Sequence, residues 1–254
     1  MTMEKRAVVF LFLLLTTVSV SYAGEGKKKS YTLSSSMSGG VMGIKDTSYS
    51  PLAYRGPFAG ILFRFSVSHT KTDIILDAAA SYGCLGNKYH KDAISMHNGQ
   101  MDLSVGSLTT LYENRLVSVK AGGSLGLLRN GQYNRLYKRY QYAFLFDAKT
   151  CFSATLKLTG KWEGMIEERL PVISYCSLFN RYSTGEPNPS LDFKWVPFCG
   201  NDFKAGVYRR FNNRNGLTLY IRHFCYSSKN AFAECLQLQS IQLGIMYCFT
   251  ITNR

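Results

Sequence analysis

The sequence predicts an all-β protein, an up-and-down antiparallel transmembrane β-barrel of about ten strands. The first observation is an unbroken alternation over residues 140–158. The even positions are mainly apolar, among them Tyr142, Phe144, Phe146 and Phe152, whereas most odd positions are polar. Successive side chains of a strand point to opposite faces, so this pattern predicts a strand with one apolar and one polar face. A tilted strand crosses a bilayer in about 9 to 11 residues, and this segment is longer than that.

The second observation is that similar segments recur along the chain. Apolar and polar residues alternate from residue 73 to 83 and from 117 to 127, and comparable strands are predicted over 30–44, 58–69, 99–112, 162–175, 202–211, 216–228 and 237–250. The segment 162–175 is the least regular, because Glu163, Glu167 and Glu168 interrupt the alternation. The total is ten strands. The 17 tyrosines and 16 phenylalanines suit the aromatic girdles of a membrane barrel.

The third observation is that short and long links alternate. Short links fall near residues 70–71, 113–114, 159–161 and 212–215, and long links over 45–57, 85–98, 129–139, 176–201 and 229–236. Outer-membrane barrels have short periplasmic turns and longer outward loops. An even number of strands also returns both termini to the periplasmic side.

The first 23 residues have the three parts of a signal peptide. Lys5 and Arg6 precede an apolar run over residues 7–15, and Ser21-Tyr22-Ala23 places small residues at the cleavage positions. We therefore expect residues 1–23 to be removed and residues 24–254 to form a single outer-membrane barrel domain. The expected location is the bacterial outer membrane, reached with periplasmic chaperones and the barrel assembly machinery.

The net charge of +14 implies an acidic partner. An exported chain rarely meets DNA, and no basic helix or zinc-finger spacing is present, so anionic membrane lipid is favoured over nucleic acid. The polar faces of the predicted strands would point into the lumen. They carry Arg64, Asp73, Asp77, Asp102, Lys120, Asp147, Lys149 and Lys157. Both signs of charge can pair and fill a narrow interior, which argues against a large open pore.

Three short motifs carry a family resemblance. Residues 50–56 read Ser-Pro-Leu-Ala-Tyr-Arg-Gly, Gly122-Gly123 lies in the middle of the chain, and residues 170–175 read Leu-Pro-Val-Ile-Ser-Tyr. Together they resemble uncharacterised outer-membrane barrel proteins common in Bacteroidetes. The resemblance implies an outer-membrane barrel and a Gram-negative source, and it implies no activity. The chain differs at its end, where residues 250–254 follow Phe249 instead of an aromatic residue standing last.

One predicted outward loop has a basic and aromatic composition. It contains Arg129, Arg135, Lys138 and Arg139, with Tyr133, Tyr137 and Tyr140 interleaved. Arginine and lysine bind phosphates through charge-assisted hydrogen bonds, so these four residues are candidate ligands for outer-membrane lipid and lipopolysaccharide. The alternative is a solvated loop with no ligand.

Candidates for catalysis and metal binding are weak. His223 and Ser227 faintly resemble the His-x-Ser of barrel lipid A deacylases. Here Cys225 takes the serine position, and two strand residues four apart lie roughly 13 Å from each other, too far for proton transfer. His90 and His97, with Asp92 between them, lack the spacing of a recognised metal site. We expect no cofactor and no metal.

The seven cysteines include Cys176 and Cys199, which could close the longest link as a disulfide. The expected function is structural or surface-interacting, with no specific activity assigned. A lipid hydrolase or a narrow solute channel remains as an alternative.

Overall fold

A computed structural model of the chain describes residues 29–46, 50–87, 96–134, 139–181, 198–229 and 235–252. They form ten β-strands: β1 (Lys29–Asp46), β2 (Ser50–His69), β3 (Thr72–Asn87), β4 (Met96–Glu113), β5 (Val117–Asn134), β6 (Arg139–Thr159), β7 (Trp162–Arg181), β8 (Phe198–Arg210), β9 (Asn215–Lys229) and β10 (Cys235–Thr252). All ten predicted strands are present. The predicted signal segment, residues 1–23, lies outside the described residues.

The strands close into an up-and-down antiparallel barrel, which confirms the predicted fold class. Each strand pairs with its neighbours along the chain, and β1 pairs with β10 from Ser30–Thr252 to Asp46–Leu236. Closure leaves no unpaired sheet edge between the first and last strands. The described residues contain no helix that is long and apolar enough to cross a membrane.

The two ends of the barrel differ in their links. One end, called the turn end, carries the short links at residues 70–71, 114–116, 160–161 and 211–214 together with the first and last described residues. Thr70 has a φ of 46° in the two-residue link at 70–71, and such hairpin turns need a positive φ at their first residue. The opposite end, called the loop end, carries the other five links. Several strands extend further towards the loop end than predicted. For example, β5 continues to Asn134 and β7 continues to Arg181, whereas the predicted strands ended at residues 127 and 175.

The outer face of the barrel is apolar and the inner face is largely polar. Large apolar side chains between 40% and 74% exposed cover the outside in a band called here the apolar belt: Leu33, Met37, Phe63, Phe65, Leu76, Met101, Leu103, Val105, Phe152, Ile166, Leu219, Ile221, Ile241, Leu243 and Ile245. The even positions of β6 face outwards, as the alternation predicts. A soluble protein buries such residues, so this distribution is that of a barrel surrounded by lipid.

Charged side chains cross the middle of the lumen. Arg64 binds Asp77 with Nε–Oδ1 at 2.7 Å, and Arg169 binds the same carboxylate with Nη2–Oδ2 at 2.6 Å. Arg222 binds Asp202 with Nε–Oδ1 at 2.6 Å. Seven of the eight predicted inward charges pair with one another or with Glu167, Arg169, Asp202 and Arg222, whereas Lys157 is exposed.

An apolar cluster, which the alternation of the strands does not predict, fills the lumen near the loop end. Its buried members are Met42, Ile44, Tyr54, Phe58, Leu85, Met96, Leu128, Ala143, Leu145, Phe224, Tyr226, Leu236 and Leu238. The Tyr226 hydroxyl donates to Asp147 Oδ2 at 2.9 Å and thereby joins this cluster to the charged layer.

Little open space remains inside the described part of the barrel. One cavity among the charged and polar lumen residues, lined by Asp102, Arg222 and Gln242, measures about 50 Å³, and two others measure about 20 and 10 Å³. Cavities of this size can hold a few water molecules at most. The side chains of the charged layer are therefore closely packed around them.

Candidate lipid-binding groove

A row of aromatic side chains crosses the outer face of four consecutive strands near the loop end. Tyr82 on β3, His97 on β4, Tyr133 on β5 and Tyr140 on β6 stack in sequence, with ring centroids 6.0, 6.1 and 4.4 Å apart. Strand register produces the row, because His97 is paired with Tyr133 and Tyr133 with Tyr140. A short contact of 2.6 Å joins the Tyr82 hydroxyl to His97 Nδ1. These rings form one wall of a groove.

Two glycines form the floor of this groove. Gly99 pairs with Tyr82 on one side and with Gly131 on the other, and Gly131 pairs with Tyr142. A Cβ atom added at Gly99 would meet no atom within 4 Å, so the space above it is open. The groove has a volume of about 360 Å³.

Arg129 forms the edge of the groove nearest the apolar belt. It lies on the outer face of β5, two residues before Gly131, and its guanidinium carbon is 4.9 Å from the centre of the Tyr142 ring and 5.9 Å from that of Phe144. The prediction that Arg129 belongs to a loop is wrong, because the β5–β6 pairing continues to Asn134. Stacking on the two rings fixes the guanidinium against the wall and leaves the side chain exposed.

The other three predicted lipid-binding residues are not described at the groove. Arg135 and Lys138 lie outside the described residues. Arg139 is the first residue of β6 and pairs with Asn134, and its side chain is not described. Whether all four basic residues act together stays a prediction.

The groove lies where the apolar belt ends. On β4 the outward residues run from Val105, Leu103 and Met101 in the belt to Gly99 and His97 in the groove. In membrane barrels, aromatic residues collect at this boundary between hydrocarbon and headgroups. Stacked rings beside a guanidinium and above a glycine floor can hold an acyl chain together with an anionic headgroup.

The sequence contained a signal for the residues that were missed. Tyr82, His97, Gly99, Gly131 and Tyr142 all stand at outward positions near the loop-end limits of consecutive predicted strands. Alignment of those four strand ends would have brought them together. The predicted link over 85–98 includes His97, whereas the residue lies within β4.

The structure does not assemble a catalytic pair from His223 and Ser227. Both residues face outwards on β9, with Cys225 between them. His223 Nε2 lies 3.4 Å from Gln239 Nε2, and no hydrogen bond joins His223 to Ser227 within the described ranges. Both side chains lie on the face that carries the apolar belt.

Metal and disulfide candidates gain no support. The described residues contain no group of three or more histidine, cysteine, aspartate or glutamate side chains able to hold a metal ion, and His90 and Asp92 lie outside them. Cys84, Cys151, Cys225 and Cys248 are free. The Cys176 and Cys199 side chains are not described, so the predicted pairing stays a prediction.

Comparison with solved structures finds outer-membrane barrels. The chain superposes on the outer membrane protease OmpT from Escherichia coli with a TM-score of 0.51 and 6% identity, covering 89% of this chain and 97% of that one. The translocator domain of the autotransporter NalP from Neisseria meningitidis gives 0.44 and 8%, covering 95% of each chain. Neisserial surface protein A gives 0.36 and 8%, covering 85% and 95%.

At these identities the likeness shows the fold alone. No protein-family model matches the chain, and no curated protein sequence does. The chain therefore has the closed ten-stranded barrel fold of outer-membrane proteins, with no specific activity established.

Proposed function

We propose that this protein is a bacterial outer-membrane barrel with a structural or surface-interacting role, which holds phosphate-bearing lipid of the outer leaflet, lipopolysaccharide included, in the groove at Arg129. The observation that carries the proposal is the position of Arg129 beside the aromatic row and at the edge of the apolar belt. In this proposal the loop end faces the cell exterior.

The chemistry of the groove suits a lipid phosphate. A guanidinium is the side chain best shaped for bidentate contact with phosphate oxygens, and its stacking on Tyr142 reduces the entropy lost on binding. The open space above Gly99 lies on the loop-end side of Arg129 and can receive part of the headgroup, while the acyl chains would run from Arg129 over Met101 towards the apolar belt. The net charge of +14 favours any anionic surface over a neutral one.

The filled lumen supports a role on the outer face rather than inside the barrel. Cavities of about 50 Å³ and less lie among the charged layer, and the apolar cluster covers that layer at the loop end. A channel would need a continuous path past both. The lipid hydrolase alternative is not favoured, because His223 and Ser227 form no base and nucleophile pair among the described residues.

The biogenesis of the protein follows from the same proposal. Residues 1–23 would direct export, and periplasmic chaperones and the barrel assembly machinery would insert residues 24–254. The source would be a Gram-negative bacterium, with the Bacteroidetes barrels that the sequence resembles as the expected relatives.

Two substitutions test the groove separately from the fold. Gly99→Trp should fill the floor, and Arg129→Gln should remove the charge, and each should reduce the lipopolysaccharide that co-purifies with the barrel. Replacing Arg129, Arg135, Lys138 and Arg139 together by Gln should reduce it further and make cells more sensitive to detergents. Phosphate analysis of the purified protein gives the readout.

Matched controls exist on β1 and β2, strands that contribute no residue to the groove. Gly43→Trp places the same side chain on the outer face of β1, where an added Cβ would have no atom closer than 3.9 Å. Arg55→Gln removes an exposed arginine from the outer face of β2. Lipid retention that falls equally in the controls, or stays unchanged in the quadruple variant, would reject lipid binding at this groove.

A further inference from the structure

Ionisable side chains interrupt the apolar belt on the outer faces of β7 and β9. Glu168 on β7 pairs with Phe203 on β8, and Phe203 pairs with His223 on β9, so these three residues form one row across neighbouring strands. Adjacent strands are about 4.8 Å apart, which places Glu168 and His223 about 10 Å from each other. Both face outwards.

Both ionisable residues lie among lipid-facing apolar side chains. Glu168 is paired with Phe152 on β6, and Ile166, half exposed, is the next outward residue on β7. His223 is flanked by Ile221 on its own strand and is paired with Ile241 on β10. The row therefore lies within the belt, and the turn-end and loop-end boundaries lie to either side.

Contacts within the barrel satisfy only part of the hydrogen-bonding capacity of Glu168 and His223. Asn201 Nδ2 donates to Glu168 Oε1 at 3.0 Å, while Asn201 Oδ1 is buried without a hydrogen-bond partner. His223 has one contact, with Gln239 at 3.4 Å. The structure gives Glu168 no cationic partner among the described residues. An ionisable group that faces hydrocarbon is destabilising, so such groups in membrane proteins face protein or water.

We propose that a second copy of this chain covers the row in the membrane. The twofold axis would run parallel to the barrel axis and pass over β8, so that Glu168 of each copy meets the partner's His223. This arrangement is isologous, because residue i contacts residue j and residue j contacts residue i.

Hydrogen-bonding complementarity and depth both favour a second copy as the occupant. The row presents a carboxyl group on one side of β8 and an imidazole on the other, so a twofold rotation brings each carboxyl to an imidazole, which can hydrogen-bond with it. If both copies are inserted in the same orientation, each residue lies at the same depth in the bilayer in the two copies. For strands tilted by 35–45°, Glu168 and His223 differ in depth by about 6 Å, within the reach of the two side chains.

The surface beside the row can accept another barrel. An apolar depression of about 1470 Å³ extends around the outer face over eight strands, and Gly164, Ile166, Ala205 and Ile221 place part of it on the turn-end side of the row, where Gly164 and Ala205 are small. Small residues allow two transmembrane surfaces to approach closely. The dimer would thus bury apolar surface around a central pair of Glu–His contacts.

Self-association of the full-length barrel in phosphatidylcholine vesicles tests the proposal. Fluorescence energy transfer between singly labelled copies should give a dimer in the parent protein. Glu168→Gln and His223→Gln should each weaken dimerisation at least tenfold. The exchanged variant, Glu168→His with His223→Glu, should restore it to within threefold, because a carboxyl again meets an imidazole across the axis.

Controls separate this result from misfolding and from lipid binding. Leu76→Gln introduces a polar group on the outer face of β3, away from the row, and should leave dimerisation unchanged. The two Gln variants remove an ionisable group from the lipid face, so their unfolding midpoints should not fall. Lipopolysaccharide retention at Arg129 should also be unaffected.

Two results would overturn the proposal. One is a parent protein that stays monomeric at all protein-to-lipid ratios. The other is a dimer that the single variants do not weaken, or that the exchanged variant does not restore.

Discussion

Arg64 on β2 binds Glu167 on β7 across the full width of the lumen, with Nη1–Oε2 at 2.9 Å. The side chains are only 13% and 8% exposed. β2 and β7 are five strands apart in a barrel of ten, so they stand on opposite walls. Arg169 on β7 makes the return contact to Asp77 on β3. Two ion pairs therefore tie opposite walls of the barrel together.

Removal of one arginine should destabilise the barrel strongly. Arg64→Met leaves Asp77 and Glu167 sharing Arg169 in a buried site, and loss of one partner from a buried ion pair costs about 3–5 kcal/mol. Urea unfolding in detergent micelles measures the free energy. Arg210→Met is the control, because its pair with Glu163 is half exposed and should contribute about 0–1 kcal/mol. Equal losses in the two variants would contradict the importance of the cross-lumen contact.

Arginine on the outer face should be destabilising only within the apolar belt. Leu243 and Leu116 are similarly exposed, at 68% and 62%, but Leu243 lies in the belt and Leu116 in the link between β4 and β5. Leu243→Arg should cost about 2–4 kcal/mol in a bilayer and Leu116→Arg close to nothing. Unfolding from liposomes gives both values. A soluble barrel would tolerate the two changes alike.

Gly244 should not accept a larger residue. The Tyr220 ring lies directly over it, and an added Cβ would collide with that ring. Displacement would also break the 2.8 Å hydrogen bond between the Tyr220 hydroxyl and Ser36 Oγ. We expect Gly244→Ala to cost about 1–3 kcal/mol. Gly43→Ala, with 3.9 Å to the nearest atom, should be neutral by the same unfolding measurement.

Labelling of intact cells checks the orientation of the barrel. Lys45→Cys places an exposed thiol near the loop end, and Asn213→Cys places one in a link at the turn end. An impermeant maleimide should label only the Lys45→Cys variant above the background of the parent protein. Labelling of Asn213→Cys alone would invert the assignment of the two ends.

The sequence by itself determined the strands and the direction of most of their side chains. A strand has a period of two, so the alternation in residues 140–158 was sufficient to place β6 and to send Phe144 and Phe152 outwards. The same rule placed Arg64, Asp77 and Lys149 in the lumen. The alternation is less regular in β7, because Glu163 and Glu167 face inwards while Glu168 faces the lipid.

The tertiary structure decided which residues meet, because partners across the lumen depend on closure and register and not on spacing along one strand. Arg64 finds Glu167 only after ten strands have closed, and Tyr82, His97, Tyr133 and Tyr140 form a row only in the observed register. Pairing between strands also determines where each strand ends. β5 continues past Arg129 to Asn134, because β6 pairs with it over that length. A one-residue slip would turn every side chain to the other face, so register, fixed by all ten strands together, determines both the lumen and the groove.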